Sequence, residues 1–160
     1  MKAWAPARRT LLLAGAYGLA GAALPRMAAA ADVQLPAPAS LPAELTAALR
    51  KGRALVVLAS LEGCPWCKLV RESYLVPLRA EGQPVVEIDL RGSTPLVDFA
   101  AGASTQARVA QSLKVRIAPT VLFIGPGGRE AAPRLAGVPL PDFYGAYLQE
   151  RLDAANRAAA

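Results

Sequence analysis

The chain has 160 residues, 54% hydrophobic and 19% charged, enough apolar material for one domain with its own core and too much for a disordered chain. Its formal net charge is +6, but residues 1–31 hold four basic residues and no acid, which leaves 14 basic against 12 acidic residues beyond them. The case for a nucleic-acid partner falls with that excess. No histidine is present, which excludes Ser-His and Cys-His nucleophile pairs, histidine-ligated zinc and histidine pH switches.

Residues 1–31 read as a cleaved export signal: a basic start, the apolar run Thr10–Leu24, and the small-residue tail Met27–Ala31, with cleavage near Ala30 or Ala31. The run is shorter than the roughly 20 residues of a spanning helix. The Arg8-Arg9 pair keeps a twin-arginine route open, and no cysteine near the cleavage point offers a lipid attachment site. The expectation is a soluble periplasmic protein. Residues 32–40, with two prolines and no apolar period, read as an extended linker, and residues 41–160 as the folded domain.

Ser40 and Pro42 predict a capped helix to about Lys51, stopped by Gly52. Ala54–Ala59 is an unbroken apolar run, as expected of a strand covered on both faces. It leads through Glu62-Gly63-Cys64-Pro65-Trp66-Cys67 into Lys68–Leu75, where apolar residues recur at helical spacing. Pro84–Leu90 predicts a second strand, Gly92–Ala103 a loop, and Ser104 the cap of a helix to about Leu113. Arg116–Ile124 predicts a strand entered through Pro119, paired across the Gly125–Gly128 turn with a weaker strand near Ala131–Ala136. Pro141 and Asp142 open a last helix through about Ala155. This order implies an α/β fold, a central mixed sheet with helices on both faces, and no internal repeat.

The chain's two cysteines, Cys64 and Cys67, stand where a strand passes into a helix. Free N–H groups and the positive dipole end at such a position favour a thiolate on the first sulfur, making Cys64 the candidate nucleophile. Cys67, one turn later, is the candidate resolving thiol that attacks a mixed disulfide on Cys64. Pro65 shapes the turn and supplies no competing donor. Three other readings stay open: a structural disulfide, which a four-residue loop makes weakly stabilising; half a zinc site, lacking two ligands; and copper delivery through paired thiolates.

Cys64-Pro65-Trp66-Cys67, Ala118-Pro119-Thr120 further on, and the βαβαββα order with an extra N-terminal helix together resemble the thioredoxin family. The resemblance covers about 100 of the 160 residues. It implies a thioredoxin fold, a redox-active disulfide and thiol-disulfide exchange without a cofactor or metal. It also implies a cis Pro119 facing the dithiol, with Ala118 beside it to bind the substrate backbone. There are departures: Pro65-Trp66 fill the gap between the cysteines, and Leu58 stands where many thioredoxins bury an aspartate. Glu62 is the nearest carboxylate, a candidate proton shuttle or a solvated loop charge. Lys68 is a candidate thiolate stabiliser or an exposed helix charge. Trp66 is expected on the rim and Tyr74 in the core. DsbA-type oxidases differ by a histidine before the second cysteine and by a helical insertion too long for Gly92–Leu113. Small exported thioredoxin-like reductases are the better likeness, which implies protein thiols and disulfides as partners and a membrane thiol donor as electron source. A monomer is expected. Against this stands a non-catalytic binding module on the same scaffold, or a metal carrier using Cys64 and Cys67.

Overall fold

The computed structural model describes residues 33–160; the signal-like segment and its cleavage point lie outside the described residues. Helix α1, Leu41–Leu49, starts at Ser40, whose hydroxyl accepts from the Ala43 N–H at 3.4 Å, with proline in the first turn. Strands β1 (Leu55–Ser60), β2 (Val85–Asp89), β5 (Thr120–Ile124) and β6 (Glu130–Ala136) form one sheet in the order β2-β1-β5-β6. The β1–β2 pair is parallel, and β1–β5 and β5–β6 are antiparallel. Period-two alternation sorts the apolar side chains into two layers. Val56, Leu58, Val85, Val121 and Phe123 pack with Val70, Tyr144, Leu148 and Leu152 on one face. Leu55, Val57, Ala59, Val86, Ile88, Leu122 and Ile124 pack with Leu41, Leu45, Val109 and Ala110 on the other. A mixed sheet with helices on both faces is therefore the architecture, as expected from the order of the elements.

Helix α2, Pro65–Val70, runs through a π-helical turn at Arg71–Leu75 into α3, Val76–Ala80. Pro77 explains the wide turn: in a regular helix its ring would press on the Ser73 carbonyl and offer it no donor. The backbone widens instead, and the Val76 N–H bonds the Arg71 carbonyl.

The remaining differences from expectation have local causes. The expected loop after β2 contains a short hairpin, β3 (Pro95–Val97) with β4 (Ala103–Thr105). Its turn is built by the Asp98 carboxylate, which accepts from the N–H groups of Ala100 and Gly102 at 2.9 Å each. Ser104 pairs with Leu96 in that hairpin and so is not the helix cap; Thr105 caps α4, Gln106–Ser112. Residues 117–119 bend before β5 begins, with the Thr120 hydroxyl donating to the Ile117 carbonyl at 2.6 Å. The last helix, α5 (Tyr144–Ala159), follows a 3-10 turn at Pro141–Phe143.

Residues 33–40 are extended, as their prolines require, but they are not a free linker. The Pro36 carbonyl accepts from the Glu87 N–H at 3.0 Å and the Ala39 carbonyl from the Val97 N–H at 2.9 Å. Leu35 is buried in the core. Proline lacks a donor yet keeps its carbonyl, so such a segment can still lie along a strand edge as an acceptor.

A polar cluster ties the start of β1 to α5. Asn156 Oδ1 accepts from the Ala54 N–H at 2.9 Å, Gln83 Nε2 donates to the Ala54 carbonyl at 2.7 Å, and Asn156 Nδ2 donates to Gln83 Oε1 at 3.1 Å. Tyr144 is less well provided. It is 2% exposed and packs on Tyr74 with ring centroids 5.1 Å apart, and its buried hydroxyl finds no partner among the described residues. Burial, with a smaller contribution from Tyr74, holds its pKa well above the usual phenol value. An unsatisfied buried hydroxyl costs about 1–3 kcal/mol. Tyr144→Phe is therefore expected to raise the unfolding free energy by about 1 kcal/mol in urea titrations at neutral pH. Because the folded phenol keeps a proton that the unfolded chain releases from about pH 10 upward, wild-type stability falls above that pH. The variant should lose part of that fall; an unchanged alkaline slope would refute the assignment.

Candidate active site

The end of β1 delivers the chain to the two cysteines. Gly63 adopts φ +70° just before them, a left-handed conformation that a residue with a Cβ enters at a cost. Cys64 is the N-cap of α2, with extended backbone, and Pro65 is the first helical residue. The Cys67 N–H donates to Cys64 Sγ at 3.1 Å. The two sulfurs are bonded to each other, with Cα atoms 5.2 Å apart. Their exposures differ: Cys67 is fully buried, while Cys64 is half-buried. An incoming sulfur can therefore approach only the first of the pair, and that same sulfur receives a helix-terminal N–H bond that favours its anionic form.

The sheet order puts different surroundings on the two sides of this turn. On the β5 side, Ala59 pairs with Thr120, so Ala118 and Pro119 meet the outgoing end of β1. The Ala118–Pro119 peptide is cis, and the Pro119 carbonyl accepts from the Gly137 N–H at 2.7 Å. Pro119 is buried and Ala118 half-buried. Ile117, 55% exposed, and Trp66, 51% exposed, are apolar surface, so Trp66 lies on the rim. Tyr74 is half-buried against Tyr144.

On the β2 side a cavity of about 590 Å³ opens beside Cys64. Glu62, Cys64, Pro65 and Lys68 all line it, so the structure gathers four of the sequence-derived site residues around one space. Lys68 Nζ lies 3.6 Å from the Glu72 carboxylate on the exposed helix face.

The cavity also exposes what the sequence reading passed over. Arg71, one helical turn past Cys67, donates through Nε and Nη2 to the two oxygens of Glu87 at 2.8 and 2.6 Å. Both residues line the cavity and each is 9% exposed. Glu87 is opposite Leu58 in the parallel register. The layer that lacks a carboxylate on β1 thus has one on the neighbouring strand, matched by a cation from α2. A signal for it was present: Glu87 interrupts an apolar run of strand length, and a charge on a buried strand requires a partner.

No protein-family model matches the chain, and no curated protein matches it. Several solved structures are similar. The periplasmic thioredoxin SoxS of Paracoccus pantotrophus in its reduced form is 22% identical, over 64% of this chain and 98% of that one, with a TM-score of 0.42. A thioredoxin from Thermus thermophilus is 23% identical, over 76% and 86%, with a TM-score of 0.49. The thioredoxin of Fasciola hepatica is 18% identical, over 74% and 97%, with a TM-score of 0.47. The strand order β2-β1-β5-β6, the helices on both faces and the Cys-x-x-Cys disulfide where β1 passes into α2 carry the assignment. The chain has a thioredoxin fold.

The Arg71–Glu87 pair lends itself to measurement. Removing one partner of a buried ion pair strands the other charge, at about 3–5 kcal/mol, whereas replacing both by apolar groups is often neutral. Arg71→Met and Glu87→Met should each lower the unfolding free energy by about 3 kcal/mol in urea. The double variant should be more stable than either single one. Additive losses would show that the two side chains act independently.

Proposed function

We propose that the protein is a thiol-disulfide oxidoreductase that exchanges the Cys64–Cys67 dithiol or disulfide with protein partners outside the cytoplasm. The observation that carries this reading is the asymmetry of the pair: Cys64 caps α2 and is reachable, while Cys67 is buried one turn behind it. A thiolate of an incoming partner attacks Cys64 Sγ and Cys67 leaves as a thiolate; in the reverse direction Cys64 attacks a partner disulfide and Cys67 resolves the adduct. The apolar surface of Trp66 and Ile117, with the 118–119 backbone between the turn and β5, suits an extended partner segment.

The reading favours the reducing direction. Strong dithiol oxidants owe their potential to a heavily stabilised reduced form. Here Trp66 rather than a cationic or hydrogen-bonding residue precedes the second cysteine, and the Lys68 amine is shared with Glu72. A reductant in an oxidising compartment needs an electron source, so a membrane thiol donor is part of the proposal. Export rests on the signal-like composition of residues 1–31.

Cys67→Ser in reduced form, incubated with a protein bearing an accessible disulfide such as insulin, should accumulate a dithiothreitol-sensitive covalent adduct through Cys64. Cys64→Ser should accumulate none. Equilibration of the wild type in glutathione buffers, read by thiol alkylation, should place the potential below about −200 mV, among reductants. A disulfide that neither exchanges nor traps would reduce the pair to a structural staple.

A further inference from the structure

The cavity beside Cys64 contains more polar chemistry than sulfur exchange between two proteins uses. Ser60 is 4% exposed and Gln106 6%, and both line it. The Ser60 hydroxyl makes no hydrogen bond to any described residue. Gln106 Oε1 is taken by the Asp89 N–H at 2.9 Å, which leaves the amide NH₂ without a partner among the described residues. That amide is also seated: a Cβ at Gly92 would overlap its oxygen. Both residues are more than nine-tenths buried, yet neither polar atom is sealed in as the Tyr144 hydroxyl is: each opens onto the cavity, where water or a bound molecule supplies the partner that buried polar residues nearly always have.

The charges say what kind of molecule. Arg71 and Glu87 neutralise each other at the floor, and Lys68 sits beside Glu72. Glu62 and Asp89 are the remaining lining charges, so the cavity is net negative in a domain that is otherwise slightly basic. Ser60 and Asp89 are paired in the β1–β2 register, side by side at the outgoing ends of two parallel strands, and Glu62 follows within two residues of Ser60. A volume of about 590 Å³ is in the range of small-molecule pockets, and residues 34, 35 and 37 wall one side.

We propose that this cavity admits low-molecular-weight aminothiols and their disulfides, molecules with an ammonium group close to sulfur, and presents that sulfur to Cys64. The proposal rests on the exchange reading above. The ammonium group is held by the Glu62 and Asp89 carboxylates, and the Ser60 hydroxyl and Gln106 amide serve a second polar group of the same molecule. In the reduced protein, the Cys64 thiolate attacks the small disulfide, forming a Cys64 mixed disulfide and releasing one thiolate, which takes a proton from water. Cys67 then gives its proton to water and attacks Cys64 Sγ. The internal disulfide forms, the second small thiolate leaves, and two electrons have passed from the dithiol to the ligand.

The test compares rates of oxidation of the reduced protein by three small disulfides at low ionic strength: cationic cystamine, neutral bis(2-hydroxyethyl) disulfide and anionic dithiodiglycolate. Each rate is divided by that of the same reagent with free dithiothreitol, which removes intrinsic reactivity. Cystamine should exceed dithiodiglycolate by roughly tenfold after this correction. The Glu62→Gln, Asp89→Asn double variant should bring the ratio close to one; the asparagine keeps the Oδ1 that accepts from the Arg91 N–H, so the loop is retained. A corrected ratio near one in the wild type, or an unchanged ratio in the variant, overturns the proposal while the neutral reagent still reports exchange. Failure of all three reagents overturns the exchange reading and this proposal with it.

Discussion

Strand β1 is hydrogen-bonded on both edges, to β2 and β5, and covered on both faces, so Leu55 to Ala59 are fully buried and only Ser60, at its end, touches the cavity. A slip of one residue would send Leu58 and Val56 into the layer of Leu55 and Val57 and strand the Ala54 peptide away from Gln83 and Asn156. Everything at the active site is measured from this strand. Its end sets where Gly63 turns, where α2 begins, and which of two sulfurs faces outward. The polar cluster at its start and the disulfide just beyond its end bracket a segment with no freedom of register.

That rigidity places chemistry of different character on the two sides of one short turn. Toward β5 the neighbours are apolar side chains and backbone, the materials of peptide recognition. Toward β2 they are an ion pair, two carboxylates, a hydroxyl and an amide around a cavity. The helix that begins at Cys64 serves both sides: its first turn carries the cysteines, and its second supplies Arg71. The π turn that accommodates Pro77 begins at Arg71 itself, so a proline six residues downstream shapes the backbone from which the guanidinium reaches β2.

Much of this was legible in the residues. The unbroken apolar run of β1, the Cys64-Pro65 start of α2, the Pro119 entry to β5 and the Ser40 cap are local signals that tertiary structure left in place. The hairpin at Pro95–Thr105 was not legible, because three-residue strands have no period to read and its turn depends on one aspartate folding back on its own backbone. The π turn was hidden for a related reason: apolar spacing over Lys68–Leu75 fits a regular helix, and only Pro77 beyond it hints otherwise. Of the cavity lining, Glu62, Cys64, Pro65 and Lys68 were legible because they cluster around the cysteine turn, and Glu87 left a signal as a charge in an apolar strand. Ser60, Asp89 and Gln106 come from separate elements, and only the sheet register and the packing of α4 bring them together.

Residues 33–40 have a consequence that reaches past the active site. In the sheet β2 is an outer strand, and an outer strand presents unpaired backbone groups to any extended chain that drifts past. The Glu87 N–H is occupied by the Pro36 carbonyl, and a segment with two prolines cannot itself act as a fresh template for the next strand. At the far edge, β6 carries Pro133 among its exposed residues. Both borders thus carry an obstacle to strand addition, one a borrowed segment on the Glu87 N–H and one a built-in proline. Strand-to-strand association, and with it fibrillar aggregation, is thereby discouraged at the sheet edges, away from the turn that carries the sulfurs.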